Sequence, residues 1–330
     1  MSKKCYIQSI AQVSCQKPLS EEWLDAPCYH EESYVRAIEP DSKGMIAPSE
    51  ARRMSKILKR TICTSLSALK ESGIENPDAI ITGTGMGCME NSEKFLTDMS
   101  KFGESCLKPT LFMQSTHNTI SSLIAIILKC HGYNNTYSQG ATSFESALLD
   151  AWLQIKNDQI NNALVGSHDE VTPLMSKILR TNHPEYAFVS EASVATVLSS
   201  SQDEGPGVEI SSVFIGNGLM PVDVASRLSS SDNVLLLGIN GNAQNDEPYS
   251  QVLETLGFKP TTLQYKRIFG DNFSSSAIGF YVGATLLGHK PIPDFIIEST
   301  GAEFNYKAGS VTIINHSGDS TWSIIRLKRN

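Results

Sequence analysis

Strand-like apolar runs alternate with helical stretches along nearly the whole chain, which confines it to an α/β architecture with helices on both faces of its sheets. Cys5 to Val13 reads as the first strand. After an irregular stretch over 14–45, the spacing predicts one long amphipathic helix from Ser49 to Ser72. Ser49 would cap it, Met54, Ile57, Leu58, Ile62, Leu66 and Leu69 form one stripe, and Gly73 ends it. Ala79 to Thr82 is a short strand running into GTGMG, and helices follow at 91–101 and 117–131. Asn135 to Ser138 is strand-like, Gln139 to Ala141 turns, and Thr142 to Ile155 is helical. Strands then fall at 163–165 and 192–198, before a boundary at SSSQDEGPG, 199–207. Beyond it the same order recurs in shorter form. It has strands at 208–214 and 234–237, helices at 221–228, 246–256 and 273–287, and strands at 294–298, 310–315 and 322–327. No literal repeat is present. Two halves with one order of elements, 1–200 and 201–330, are still what a duplicated α/β fold produces.

Composition narrows the function classes. A net charge of −8 provides no phosphate-tracking surface and argues against a general nucleic-acid role. No run approaches the length of a membrane span, and SSLIAIILKC is a buried helix instead. The apolar part of MSKKCYIQSIAQVS is too short and too polar for a signal-peptide core, so the expected compartment is the cytoplasm. All seven cysteines (5, 15, 28, 63, 88, 106, 130) lie at irregular spacings with no CxxC, and the histidines form no HxxxH or HExxH. A disulfide framework and a metal site are therefore not expected.

Three local features bear on chemistry. Gly83–Thr84–Gly85–Met86–Gly87 follows a strand, as a phosphate-binding loop would, but it lacks the third glycine of GxGxxG and a following acidic residue. The better reading is a tight turn against which another element packs closely. Cys88 sits where a helix start would lower a thiol's pKa, yet a packed structural thiol is the commoner outcome. Arg52, Arg53, Lys56, Lys59 and Arg60 form the one basic cluster, read as a solvated helix face or as a docking surface for an acidic partner.

The segment 135–155 together with GSHDEVTP (166–173) resembles the β-ketoacyl synthases, in which a strand leads to a nucleophilic cysteine at the start of a buried helix. Other stretches fit in the same order. ITGTGMG looks like the early strand and Gly turn, PSEARRMSKIL like the long Arg/Lys-bearing helix, and FVSEASVATVL like F-V-x-G-E-G-A and its strand. LLLGINGNAQND falls on x-N-A-H-G-T-G-T-x-x-x-D, YKRIFGDNFSSSAIGF on K-S-x-x-G-H-x-x-G-A-A-G, and INHSGDSTWSIIRLK on the terminal strand pair. The resemblance implies the duplicated, five-layered thiolase fold. Carried over residue by residue, the cysteine falls on Ala141, the first histidine on Asn240 and the second on Asp271, while Lys266 is retained.

An alanine methyl cannot hold an acyl group as a thioester, and a carboxylate at 271 offers negative charge where an enolate would need a donor. The resemblance therefore implies a chain-length-factor-like subunit without condensing activity, with no cofactor. Its partners would be an active ketosynthase, in a heterodimer, and an acyl carrier protein, with Arg52, Arg53 and Lys56 as the assisting basic surface. STHNTISS and SFESALLDA look most like subunits of aryl-polyene or flexirubin-type pathways, within the wider class of type II polyketide systems. The strand at 135–138 and the helix around 117–131 would meet the partner, with Ile124 and Ile127 on the contact face. Two rivals remain open. One is a hydrolase or decarboxylase using Asn240, Asp271 or His316, and the other is a homodimeric acyl-binding protein.

Overall fold

The computed structural model describes residues 3–104, 107–202, 205–288, 290–301, 304–318 and 320–329; Cys106 and part of the 199–207 break lie outside them. Its strands are β1 (Tyr6–Val13), β2 (Ala79–Gly83), β3 (Tyr133–Tyr137), β4 (Asn162–Asp169), β5 (Ala192–Ser199), β6 (Val208–Gly216), β7 (Val234–Leu237), β8 (Thr261–Gln264), β9 (Ile297–Ser299), β10 (Ser310–Ser317) and β11 (Thr321–Arg329). Its first helices are α1 (Pro48–Ala51), α2 (Lys56–Ser72), α3 (Met89–Phe102), α4 (Pro109–Met113), α5 (Thr119–Leu128) and α6 (Ser143–Lys156). They are followed by α7 (Pro173–Asn182), α8 (Pro221–Ala225), α9 (Ala243–Thr255), α10 (Lys266–Phe269) and α11 (Ser275–Leu287).

The strands join in the order β3-β2-β4-β5-β1-β6-β11-β10-β7-β8-β9. On either side of the β1/β6 junction the pattern is the same. β2 is parallel to β3 and β4, and β4–β5–β1 run antiparallel; β7 is parallel to β8 and β10, and β10–β11–β6 run antiparallel. β9 is added to the second half, antiparallel to β8. β1 and β6 pair antiparallel through Tyr6 with Glu209 and Ile7 with Val208.

Helices cover both faces, so central strands carry apolar or small residues at every position rather than alternating, as ASVATVLS in β5 shows. α2 and α5 pack outside the first half, α8 and α9 outside the second, and α6 and α11 lie between the halves. That makes five layers. All thirteen residues of α11 are buried, which its serines, alanines and glycines permit, because a helix between two sheets needs no polar face.

Three expectations need correcting. The helix predicted from Ser49 to Ser72 is two pieces: α1 ends at Ala51, a turn carries Arg52 and Arg53, and α2 starts after Ser55, so Ser49 caps nothing. Arg60 leaves the basic surface altogether. It is buried and donates to Glu39 at 2.7 Å and Glu191 at 3.0 Å. Ile124 is buried in the core beneath α5, and the exposed apolar residue of that helix is Ile126.

Candidate functional site

A cavity of about 700 Å³ opens where the ends of β3, β8 and β10 meet the starts of α6, α9 and α11. The turn before α6 delivers Ala141 to its wall. Ser143 pins that turn, its hydroxyl accepting from the Gln139 amide at 2.9 Å and donating to the Gly140 carbonyl at 2.7 Å. The start of α6 also presses on the GTGMG strand end: a β-carbon on Gly83 would come within 2.5 Å of the Ser143 backbone, and one on Gly85 within 2.4 Å of Phe273. These glycines are there for close packing, as the sequence suggested. Their amides are not free for phosphate. Asp169 accepts from Gly85 and Met86 N–H and the Thr84 hydroxyl, at 2.9–3.1 Å, and from the Ser274 hydroxyl at 2.6 Å. Burial pushes the Asp169 carboxyl up, against the downward pull of those bonds.

Lys266 and Asp271, five residues apart around α10, form an ion pair at 3.1 Å with little exposure on either side. The other carboxylate oxygen of Asp271 accepts from the Asn240 amide at 2.9 Å and from the Ala187 N–H at 3.2 Å. Asn240 also donates to the Glu185 carbonyl at 2.7 Å. The negative charge that the sequence puts at 271 is therefore met by Lys266, although a carboxylate still supplies no N–H donor there. Lys266 and Ala141 line the cavity; Asn240 and Asp271 lie behind its wall, spent on each other.

Gly238, directly after β7, lies close to Lys266. A β-carbon built there would meet the Tyr249 hydroxyl at 2.6 Å, Asn315 Oδ1 at 2.9 Å and Lys266 Cε at 3.4 Å. Counting back from Asp246 through x-N-A-H-G-T-G-T-x-x-x-D, instead of matching on the asparagine, reaches the same residue. Tyr265, which donates to Asn315 at 2.6 Å, His183 and Asn315 also line the cavity, and no sequence pattern marked them. His316 lines it as well, its ring 4.4 Å from that of Trp322. Behind the floor, Glu145 of α6 is fully buried and accepts from Ser276 at 2.9 Å and Ser323 at 2.8 Å; burial pushes its carboxyl up despite them. Cys88 starts α3 but is buried away from the cavity, its thiol raised by burial and by the nearby Glu170 and Asp169. Arg52, Arg53 and Lys56 are exposed outside the cavity. Among the described residues no group of histidine, cysteine and carboxylate side chains could hold a metal, and no helix is long and apolar enough to cross a membrane.

A five-layered fold with a strand–turn–helix at its central cavity defines the thiolase-like class. Residues 23–209, more than half of the chain, match the β-ketoacyl synthase N-terminal domain, and the chain belongs to that family. Solved structures agree in fold. A type II polyketide acyl-carrier protein in complex with its ketosynthase aligns with a TM-score of 0.79 at 14% identity, covering 100% of both chains. A ketosynthase in complex with its chain length factor from Xenorhabdus doucetiae aligns with a TM-score of 0.79 at 13% identity, covering 99% of this chain and 98% of that one. The ishigamide ketosynthase/chain length factor gives 0.78 at 14% identity over 100% of both. No curated protein matches the chain significantly in sequence.

Proposed function

We propose that this chain is a ketosynthase-like subunit without condensing activity, which pairs with an active β-ketoacyl synthase that extends acyl chains on a carrier protein. The observation that carries this is Ala141: a methyl group stands at the start of α6, on the cavity wall, where the family places its thiolate. We place the first histidine position at Gly238 and the second at Asp271, so neither supplies an imidazole donor. Asn240 donates to Asp271, and Asp271 also pairs with Lys266, which speaks against the hydrolase or decarboxylase alternative.

Pairing is supported by the surface around β3. β3 ends the strand order, with one neighbour among the described residues, and bears the half-exposed Tyr133. Phe112 and Met113 of α4 and Ile126 of α5 are exposed, Ile126 by 72%. Large apolar side chains on neighbouring helices beside a strand edge suit a buried contact with a second subunit. Arg52, Arg53 and Lys56 would assist an acidic carrier protein, while the chain's net acidity leaves most docking to the synthase. The two halves, 1–200 and 201–330, would be the two thiolase-like domains, the compartment the cytoplasm and the product an aryl polyene or related chain. The test is acylation. The purified chain should form no acyl-enzyme with acyl-carrier substrates, and saturable acylation of one cysteine would refute the assignment.

A further inference from the structure

The wall of the cavity of about 700 Å³ is unlike one made for a hydrocarbon chain. Among the described residues that line it there is no leucine, isoleucine, valine or methionine. Its apolar contacts come from Phe273, Tyr186 and Tyr265, with Ala141 and Pro248; the rest is amide, hydroxyl, imidazole, carboxylate and ammonium. Ligand sites for acyl groups are lined mainly by apolar side chains, because each methylene gains by leaving water only if it meets apolar surface. Tyr265, which contributes to the wall, packs close against α11: a β-carbon on Gly279 would sit 2.9 Å from its ring. Beyond this wall the floor is polar again, with Glu145 held between Ser276 and Ser323.

The same wall holds donors in excess. The amide nitrogen of Asn315 is buried and has no hydrogen-bond partner among the described residues, its oxygen being taken by the Tyr265 hydroxyl. The Lys266 side chain stands near Asn315: a β-carbon on Gly238 would lie 2.9 Å from Asn315 Oδ1 and 3.4 Å from Lys266 Cε, and the ammonium is paired with Asp271 at 3.1 Å. A buried donor left without an acceptor is costly, and an oxygen brought by a ligand would relieve it.

We propose that this cavity binds a small polar molecule presenting a carbonyl or carboxylate oxygen to Asn315 and Lys266, and that it does not take the acyl chain. It stands on this chain's own wall and is independent of pairing with a synthase. A growing chain would then lie in the partner's tunnel, and this cavity would serve as a separate ligand site.

The test is calorimetric titration of the purified full chain with succinate, succinamide and octanoate. Succinate should bind, and succinamide too if a neutral carbonyl oxygen suffices, each more tightly than octanoate. Asn315→Leu should weaken that binding by about tenfold. Since Asn315→Leu also strands the Tyr265 hydroxyl, Ala141→Phe provides a second variant: it puts a phenyl ring into the cavity without removing a hydrogen bond, and it should weaken binding of the polar probes while leaving the unfolding temperature unchanged. Octanoate binding as tightly as the polar probes, failure of both polar probes to bind at millimolar concentration, or unchanged binding in Ala141→Phe would overturn the proposal.

Discussion

Replacing Lys266 by methionine removes one partner of an ion pair whose other member, Asp271, is fully buried. Breaking a buried pair from one side typically costs about 3–5 kcal/mol, because a charge is left without its counter-charge. Here the carboxylate keeps two donors, the Asn240 amide at 2.9 Å and the Ala187 N–H at 3.2 Å. The loss should therefore fall near the lower end, about 3 kcal/mol. Asp271→Asn strands the ammonium instead and should also destabilise. In the double variant neither charge remains, so the combined loss should be smaller than the sum by about 2 kcal/mol. Equilibrium urea denaturation of the four proteins measures this directly. If Lys266→Met lies within about 0.5 kcal/mol of the parent and the two changes add, the pair contributes nothing and the account of position 271 is wrong.

Three further outcomes are expected. Ile126→Asp should leave the fold intact and disrupt association with the synthase, whereas Ile124→Asp should unfold the chain, at more than about 4 kcal/mol, because Ile124 is in the core; circular dichroism and size exclusion of both variants separate the two. Glu170 is raised to about 7, chiefly by burial, against the pull of the Glu90 amide and Arg60. The folded state thus holds a proton that the unfolded state has released, so Glu170's contribution to stability is fully present below about pH 4.5 and is lost as pH rises through 7, by on the order of 3 kcal/mol; Asp169 and Glu145, also raised by burial, slope the same way, so denaturation against pH should show a shallower slope in Glu170→Gln than in the parent. Ala141→Cys should become acylated at best, without condensing, since no imidazole donor returns with it; chain extension measured by mass spectrometry would refute that.

What could be read from the sequence followed from periodicity and fixed spacing. The order of strands and helices and the turn leading to Ala141 are set locally, and each was visible. Lys266 and Asp271 were marked by the resemblance of YKRIFGDNFSSSAIGF to the family's K-S-x-x-G-H segment, and their pairing became visible only in the fold. For the first histidine position, matching by residue type points to Asn240, while the count back from Asp246 points to Gly238, which lies close to Lys266. Arg60 resembled its basic neighbours until the fold supplied Glu39 and Glu191 from 21 and 131 residues away. The break between α1 and α2 was hidden because Ser49 and Ser55 are equally plausible helix starts by residue type. Ile124 and Ile126 are alike in sequence, and only the packing of α5 on β2 and α2 decides which is buried. Asn315, His183 and Tyr265 come from three distant stretches, and no local pattern could have joined them.

Co-expression with an intact Cys-His-His synthase from the same gene cluster, followed by size exclusion with light scattering and a condensation assay, tests the central claim most directly. A non-condensing partner should elute with the synthase as a 1:1 complex, and chain extension should depend on its presence while the chain alone extends nothing. A stable monomer or homodimer, beside a synthase that works equally well without it, would contradict the assignment.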